Sequence, residues 1–268
     1  CTRRARLVCE DGCAMMRLLA LALTAILLLP PASFAARGFG ATDGTATTDV
    51  IVTGHTDNNT LTSWCIEVWF TGSGGGGLGR IWTKNDSTTG DRRFIQNTGS
   101  AVWNIAVDWS TTDGSWNITP PSTAAWHHVC VTYDGGATTN DPIVYVDGSS
   151  VTVTEASTPV GTLVTGAGAY YIGNRPDGIR NWNGRIAEFA IWEGTILLSG
   201  DVALLNAGTP ADSLSTKPTA YWKFCGKVSP EPNQIPGGST GTVTGALIQA
   251  HPFANCGSNG RLLLGAGE

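Results

Sequence analysis

Positive charge and long apolar stretches are both scarce in this chain. Charged residues make up only 14% of it, and of its 268 residues 16 are Lys or Arg against 21 Asp or Glu. Methionine is confined to Met15 and Met16. These precede Arg17 and the longest apolar run, Leu18 to Leu29, which only Thr24 interrupts. Pro30, Pro31 and a small-residue exit, Ser33-Phe34-Ala35, follow. That run is shorter than the roughly 20 residues needed to cross a bilayer. Its flanks are those of a secretory leader over residues 15–35, with cleavage expected after Ala35. Residues 1–14 then read as upstream sequence translated in frame. No later segment is apolar for nearly as long, so no membrane span is expected in the mature chain, and no cysteine at the cleavage region invites a lipid anchor.

Removing Arg3, Arg4, Arg6 and Arg17 from the basic residues and Glu10 and Asp11 from the acidic ones leaves 12 and 19, a net charge of −7 from Ala36 onward. A nucleic-acid partner or an anionic membrane surface needs a basic face, and both are excluded on this balance. Setting aside Cys1, Cys9 and Cys13 leaves four cysteines of the seven: Cys65, Cys130, Cys225 and Cys256. Four half-cystines in an exported chain imply two bridges, for which three connectivities are open.

Helical periodicity is almost as sparse as positive charge. Short runs rich in β-branched and aromatic residues predict strands at 50–53, 64–70, 79–84, 93–96, 102–109, 126–133, 143–146, 151–154, 169–172, 185–192 and 220–224, each bounded by Gly, Asp, Asn, Pro or Ser. Asp147-Gly148 between Ile143-Val-Tyr-Val and Val151-Thr-Val-Thr is a two-residue hairpin signal, because a type I′ turn needs positive φ at both central residues. One helix is predicted after Ser199 as its cap, with Asp201 complementing the dipole and Gly208 ending it. Close-spaced strands, one helix and no internal repeat make this an all-β, two-sheet antiparallel sandwich over 36–256, with a Gly-rich tail over 257–268. The Gly72–Gly79 run has G-x-G-x-x-G spacing but no strand-to-helix context, so it reads as a loop. His127 and His128 are adjacent on a strand and face opposite ways, which rules out chelation by the pair.

Three signatures in order carry a family resemblance: WHHVCVTYDGG from Trp126, IVYVDGSSVTV from Ile143, and YYIGNRPDGIRNWNGRIAEFAIWEGTILLSGDVALLNAG from Tyr170. Over roughly Gly38 to Cys225 the chain resembles a laminin-G-like or pentraxin-like domain of the concanavalin A-like lectin/glucanase superfamily. The resemblance implies a jelly roll and a bridge between Cys65 and Cys130, which leaves Cys225 and Cys256 to pair and staple the C-terminal extension. It also implies binding without catalysis, of a glycan or an extracellular protein, with Ca²⁺ as the candidate cofactor. The corresponding ligand positions are Asp86 and Asp91, beside Asn85, in one loop, and Asn174 and Asp177 in another. Calcium needs about six to eight oxygen ligands, and Arg175 and Pro176 stand where further donors would be expected.

Sugar binding has a second chemistry, the stacking of an indole face on a pyranose ring while amides and charged groups bond its hydroxyls. Ten Trp are present. Trp103 and Trp109 share the alternating face of a predicted strand and read as core. Trp116 in Ser-Trp-Asn and Trp182 in Asn-Trp-Asn, with Asn183 and Arg180 beside it, fall in loop-like stretches and are the candidate platform. Glu188 and Glu193 have the outer spacing of the E-x-D-x-x-E strand of laminarinase-type glucanases. Ala190 replaces the central acid, so a structural role is expected for Glu188. The sequence thus points to a secreted or periplasmic binding module, with a protein-contacting structural module as the competing expectation and a glycoside hydrolase as a remote one.

Overall fold

A computed structural model describes residues 34–44, 47–57, 62–74, 78–86, 90–99, 102–225, 229–250 and 252. The expected upstream segment and tail lie outside these residues. So does the expected leader, apart from Phe34 and Ala35, which begin the first strand.

Sixteen strands form two antiparallel sheets of eight. In chain order they are β1 (Phe34–Phe39), β2 (Val50–Thr56), β3 (Ser63–Gly74), β4 (Arg80–Asp86), β5 (Gly90–Asn97), β6 (Trp103–Val107), β7 (Gly114–Ile118), β8 (His127–Asp134), β9 (Ile143–Val146), β10 (Ser149–Ser150), β11 (Thr154–Ser157), β12 (Ala169–Ile172), β13 (Trp182–Glu193), β14 (Ala220–Trp222), β15 (Gly241–Thr244) and β16 (Leu247–Ala250). The first sheet runs β10-β9-β8-β3-β13-β1-β16, and β14 also pairs with β13. The second runs β11-β7-β6-β5-β4-β12-β2-β15. This is the two-layer jelly roll expected from the strand pattern.

Alternation along the strands makes the core. On β3, Trp64, Ile66, Val68 and Phe70 point between the sheets, and on β6 Trp103, Ile105 and Val107 meet them from the other side. On β3 the alternate residues Cys65, Glu67 and Trp69 face outward. The helix Ser199–Asn206 covers part of that outer face, burying Val202 and Leu205 with Cys65, Cys130, Tyr145 and Trp192.

Several local expectations need correction. Ser199 does not cap the helix: Leu198 is the N-cap and makes no side-chain bond. Its C-terminus does close on Gly208, at φ +89°, whose N–H bonds Leu205 O while Thr209 N–H bonds Leu204 O. That pair of bonds is a Schellman motif. Asp147 and Gly148 have φ of 50° and 78° and join β9 to β10, as the hairpin signal requires. The strand expected over 151–154 is not one strand. After β10 the chain leaves the first sheet, and Thr154 begins β11, paired with β7 in the second. β7 itself, read as loop from the sequence, is a core strand.

The two thiols of Cys65 and Cys130 are buried and free, with the sulfurs 2.9 Å apart. They sit on adjacent strands of one sheet, where Cys65 opposes Thr132 and Cys130 opposes Glu67. Cys225 is engaged in a disulfide, and Cys256 lies outside the described residues.

Candidate functional site

Of the sequence-selected residues, Asp91, Asn174, Asp177 and Arg180 come together where the β4–β5 hairpin meets the loop 173–181. That loop is closed at its base by Gly173 N–H to Ile81 O at 2.8 Å and Trp182 N–H to Gly173 O at 2.7 Å. Asn174, fully buried, staples it. Its side-chain oxygen accepts from Arg175 N–H at 2.9 Å and Arg180 N–H at 3.0 Å, and its amide donates to Thr47 O and Asp49 O. All four bonds go to backbone, so Asn174 builds the loop and has no spare oxygen aimed at a metal. Asp177 accepts from Ile179 N–H, forming an Asx turn.

The carboxylates expected to ligate Ca²⁺ are held by guanidinium groups. Arg80 Nη1 lies 2.6 Å from Asp91 Oδ2, which Arg175 Nη1 also approaches at 3.4 Å, while Asn85 donates to Asp91 Oδ1 at 2.7 Å. Arg175 pairs with Asp177 as well. Asp86 is bound to Arg92, whose other nitrogen pairs with Asp108. The hydrogen bond from Arg175 holds Asp177 below the ordinary carboxylate range, and the same bond raises the Arg175 guanidinium. A calcium ion needs several convergent oxygens free of positive neighbours. Here Asp86, Asp91 and Asp177 are each ion-paired and Asn174 is turned to the backbone, so these residues do not fit the ion.

A second donor set, His55, Asp57 and Glu193, brings one ligand atom from each within 4.8 Å of the others. Its charges are already matched. Asp57, fully enclosed, pairs with Lys84 at 3.0 Å and with Arg93, and His55 Nε2 lies 2.7 Å from Glu193 Oε1. Burial pulls the Lys84 ammonium down to about 8. Two carboxylates facing two cations inside the sandwich make a structural ion network.

The tryptophan platform is overturned. Trp116 and Trp182 have no exposed surface. Trp116 is on β7, its ring 5.3 Å from Tyr133 and its Nε1 donating to Asp141 at 2.6 Å. Trp182 opens β13, packs edge-on against Phe70 and Trp103, and donates to Thr71 O at 2.9 Å. Of the ten Trp only Trp126 is not buried, so sugar stacking on an open indole face is not available at the predicted places. Asn183, half-buried on β13, pairs in register with Ser73 of β3.

Glu188 and Glu193 cannot act as a pair. A bulge shifts β13 against β3 between Ala187 and Ala190, with Glu188 at φ +51°. Glu188 then accepts from Tyr221 O–H on the outer face, in the field of Glu67, while Glu193 reaches His55 of the opposing sheet. Retaining glycosidases need two carboxyl groups about 5 to 5.5 Å apart across one substrate, and residues directed to opposite sides of a sheet do not meet that need.

Sequence reasoning missed a cleft of about 410 Å³ at another rim. Its walls are the loop after β8 and the segment 161–165, with Thr62, Trp109, Thr138 and Thr162 among its lining and no ionisable side chain in that lining. Both walls are tied down. Gly135 N–H bonds Thr62 O at 2.8 Å and Gly136 N–H bonds Asp134 Oδ1 at 2.9 Å. Across from them Thr162 bonds Ser110 through its own N–H and carbonyl. Thr and Gly scattered over three loops carry no periodic signal, and only the fold brings them together.

A family model described as the concanavalin A-like lectin/glucanases superfamily, of laminin G type, matches residues 43–200, more than half of the chain. Among solved structures, the heptameric SAP-like pentraxin of Limulus polyphemus is 13% identical with a TM-score of 0.55, over 84% of this chain and 99% of that one. A Bacteroides ovatus protein named for an inferred carbohydrate-binding role is 16% identical with a TM-score of 0.56, over 84% of this chain and 62% of that one. At such identities the likeness is one of fold. None of the curated proteins compared matches the chain.

Proposed function

Since the chain belongs to the concanavalin A-like lectin/glucanases superfamily through its laminin G-type members, we propose that it is an exported, non-catalytic carbohydrate-binding module that seats its ligand in the cleft between Thr138 and Thr162. The observation that carries this reading is the cleft itself. Its volume lies in the range of small-ligand sites, roughly 300–1,000 Å³. Hydroxyls and backbone groups line it beside one edge of Trp109, the mix of polar and apolar surface that a pyranose offers in return. Rim loops already held by hydrogen bonds lose little entropy when a ligand docks. Export rests on the leader pattern, and no helix of the described residues is long and apolar enough to cross a membrane. Absence of catalysis rests on the divergent placing of Glu188 and Glu193. Calcium assistance finds no fitting donor set at Asp86, Asp91, Asn174 and Asp177 and is left out of the reading.

A glycan array run in chelator tests this. The wild-type chain should retain a defined set of saccharides, and Ala137→Trp, which places an indole in the open cleft from an exposed position, should release them. Retention unchanged by that variant would remove the cleft from the reading. Silence across the array together with self-association in solution would favour the protein-contacting alternative.

A further inference from the structure

The rim built by Asn174 carries a charge imbalance. Among the described residues, Arg80, Arg175 and Arg180 gather there about two carboxylates, Asp91 and Asp177. Arg80 and Arg175 are claimed by ion pairs. Arg80 is further fixed by stacking on Phe94, its guanidinium carbon 3.5 Å from the ring centre. Arg180 makes no ion pair among the described residues, and its Nε is buried without an acceptor. Its backbone is tied on both sides, its N–H to Asn174 and its carbonyl to Arg80 N–H at 2.9 Å. The surplus charge reaches its neighbours. The Arg80 guanidinium is pulled down to about 10, first by burial and in part by the positive charges of Arg175 and Arg180, against the upward pull of Asp91. Arg180 likewise helps hold Asp177 ionised. The formal charge of the whole chain is −5, so this is a local excess on an acidic molecule. Beside it Ile179 leaves 65% of its surface in solvent.

Arg180 as a whole is only partly buried, and a guanidinium without a carboxylate partner presents its donors in a fork that matches a carboxylate or sulfate. We propose that this rim is an anion subsite, in which Arg180, set in place by Asn174 and reinforced by Arg175 and Arg80, binds the carboxylate or sulfate group of an acidic saccharide directly, with no metal between. Where the family resemblance implies a cation held by acids, this chain supplies the cation as arginine. The site is separate from the cleft, and the exposed Ile179 offers an apolar contact for the sugar carrying the anion.

The test is an amide NMR titration of the full mature chain in EDTA with three probes: methyl β-D-glucuronide, methyl β-D-glucoside and sodium sulfate. Glucuronide should shift the Ile179 and Arg180 amides saturably and weaken as salt rises, while glucoside leaves them unmoved. Arg180→Gln, which breaks no ion pair and should leave Tm unchanged, should weaken glucuronide by about tenfold or more. Asp177→Asn keeps the acceptor for Ile179 but removes a competing charge and should tighten it, a change that a purely structural role would not produce. Ala137→Trp should leave these shifts intact, so that failure of the cleft and failure of this subsite are told apart. Saturable binding that needs calcium, binding untouched by Arg180→Gln, or no saturable shift at all would each overturn the proposal. Sulfate binding as tightly as glucuronide would overturn its assignment to a saccharide.

Discussion

The sulfurs of Cys65 and Cys130 meet diagonally across β3 and β8, 2.9 Å apart beneath the helix Ser199–Asn206. Burial, the neighbouring thiol and Glu67 push the Cys65 thiol well above its ordinary value, so as free thiols the pair would be inert toward alkylation. In an oxidising compartment these positions are expected to be joined. The two cysteines are 65 residues apart, and closing such a loop should contribute about 4 kcal/mol by the chain-entropy estimate. Non-reducing peptide mapping of exported protein should recover the two peptides as one species, and Cys65→Ala with Cys130→Ala should lower the urea midpoint accordingly. Recovery of the peptides unlinked would refute the pairing.

Trp116→Ala and Trp182→Ala are expected to act on folding. Each empties a fully enclosed site and orphans a hydrogen-bond acceptor, Asp141 or Thr71 O, at a cost of about 3–5 kcal/mol in unfolding free energy. Urea denaturation reads this directly. A variant of normal stability that had lost only glycan retention would return Trp116 or Trp182 to the role of an open platform.

Calcium at millimolar concentration is expected to leave Tm where chelator leaves it, because a ligand stabilises only the state that binds it and Asp91 is already shared by Arg80, Arg175 and Asn85. A calcium-dependent rise in Tm that disappears in Asp91→Asn would contradict this account of the rim.

His128 and Glu67 face each other inside the outer layer, Nε2 to Oε2 at 3.0 Å. Burial pushes the imidazole down to about 3 from 6.5 and lifts Glu67 well above 4.5, with Glu188 adding to the lift. His128, whose folded value lies below its unfolded one, costs stability as pH falls from 6.5 toward about 3, because the unfolded chain takes up a proton that the folded one does not. Glu67 acts in the opposite sense: above 4.5 the folded protein keeps a proton that the unfolded chain has lost, and stability falls as pH rises through the raised Glu67 value. Each limb can slope by at most about 1.4 kcal/mol per pH unit. Relative to wild type, Glu67→Gln should remove the Glu67 limb and leave the His128 limb. Urea midpoints from pH 3.5 to 9 decide this, and identical profiles for the two proteins would exclude the coupling.

Strands announced themselves in the sequence wherever alternation was strict, as in Trp103-Asn-Ile-Ala-Val, and the two-layer class followed from their number. What escaped detection were strands short in β-branched residues. Ser115-Trp-Asn read as loop because polar neighbours surround one indole, yet register against β6 turns that indole inward. Val151-Thr-Val-Thr read as one strand because alternation cannot show where a chain changes sheets. Site chemistry was harder still. The family resemblance placed Asp86, Asp91 and Asp177 as calcium ligands, and that Arg92, Arg80 and Arg175 neutralise them depends on the β4–β5 register and on the loop that brings Arg175 to Asp91, 84 positions away. Arg180 was visible as a candidate, but that it makes no ion pair among the described residues could be learned only from the packed loop.

β1 and β16 run antiparallel side by side, with Ala36 opposite Gln249. Tension applied at those two points would load the ladder one rung at a time, starting from its open end, rather than shear every rung together. As a link in a chain under pull, the module should yield early and in small steps at this edge, and single-molecule extension would register a low, graded force before the packed centre gives way.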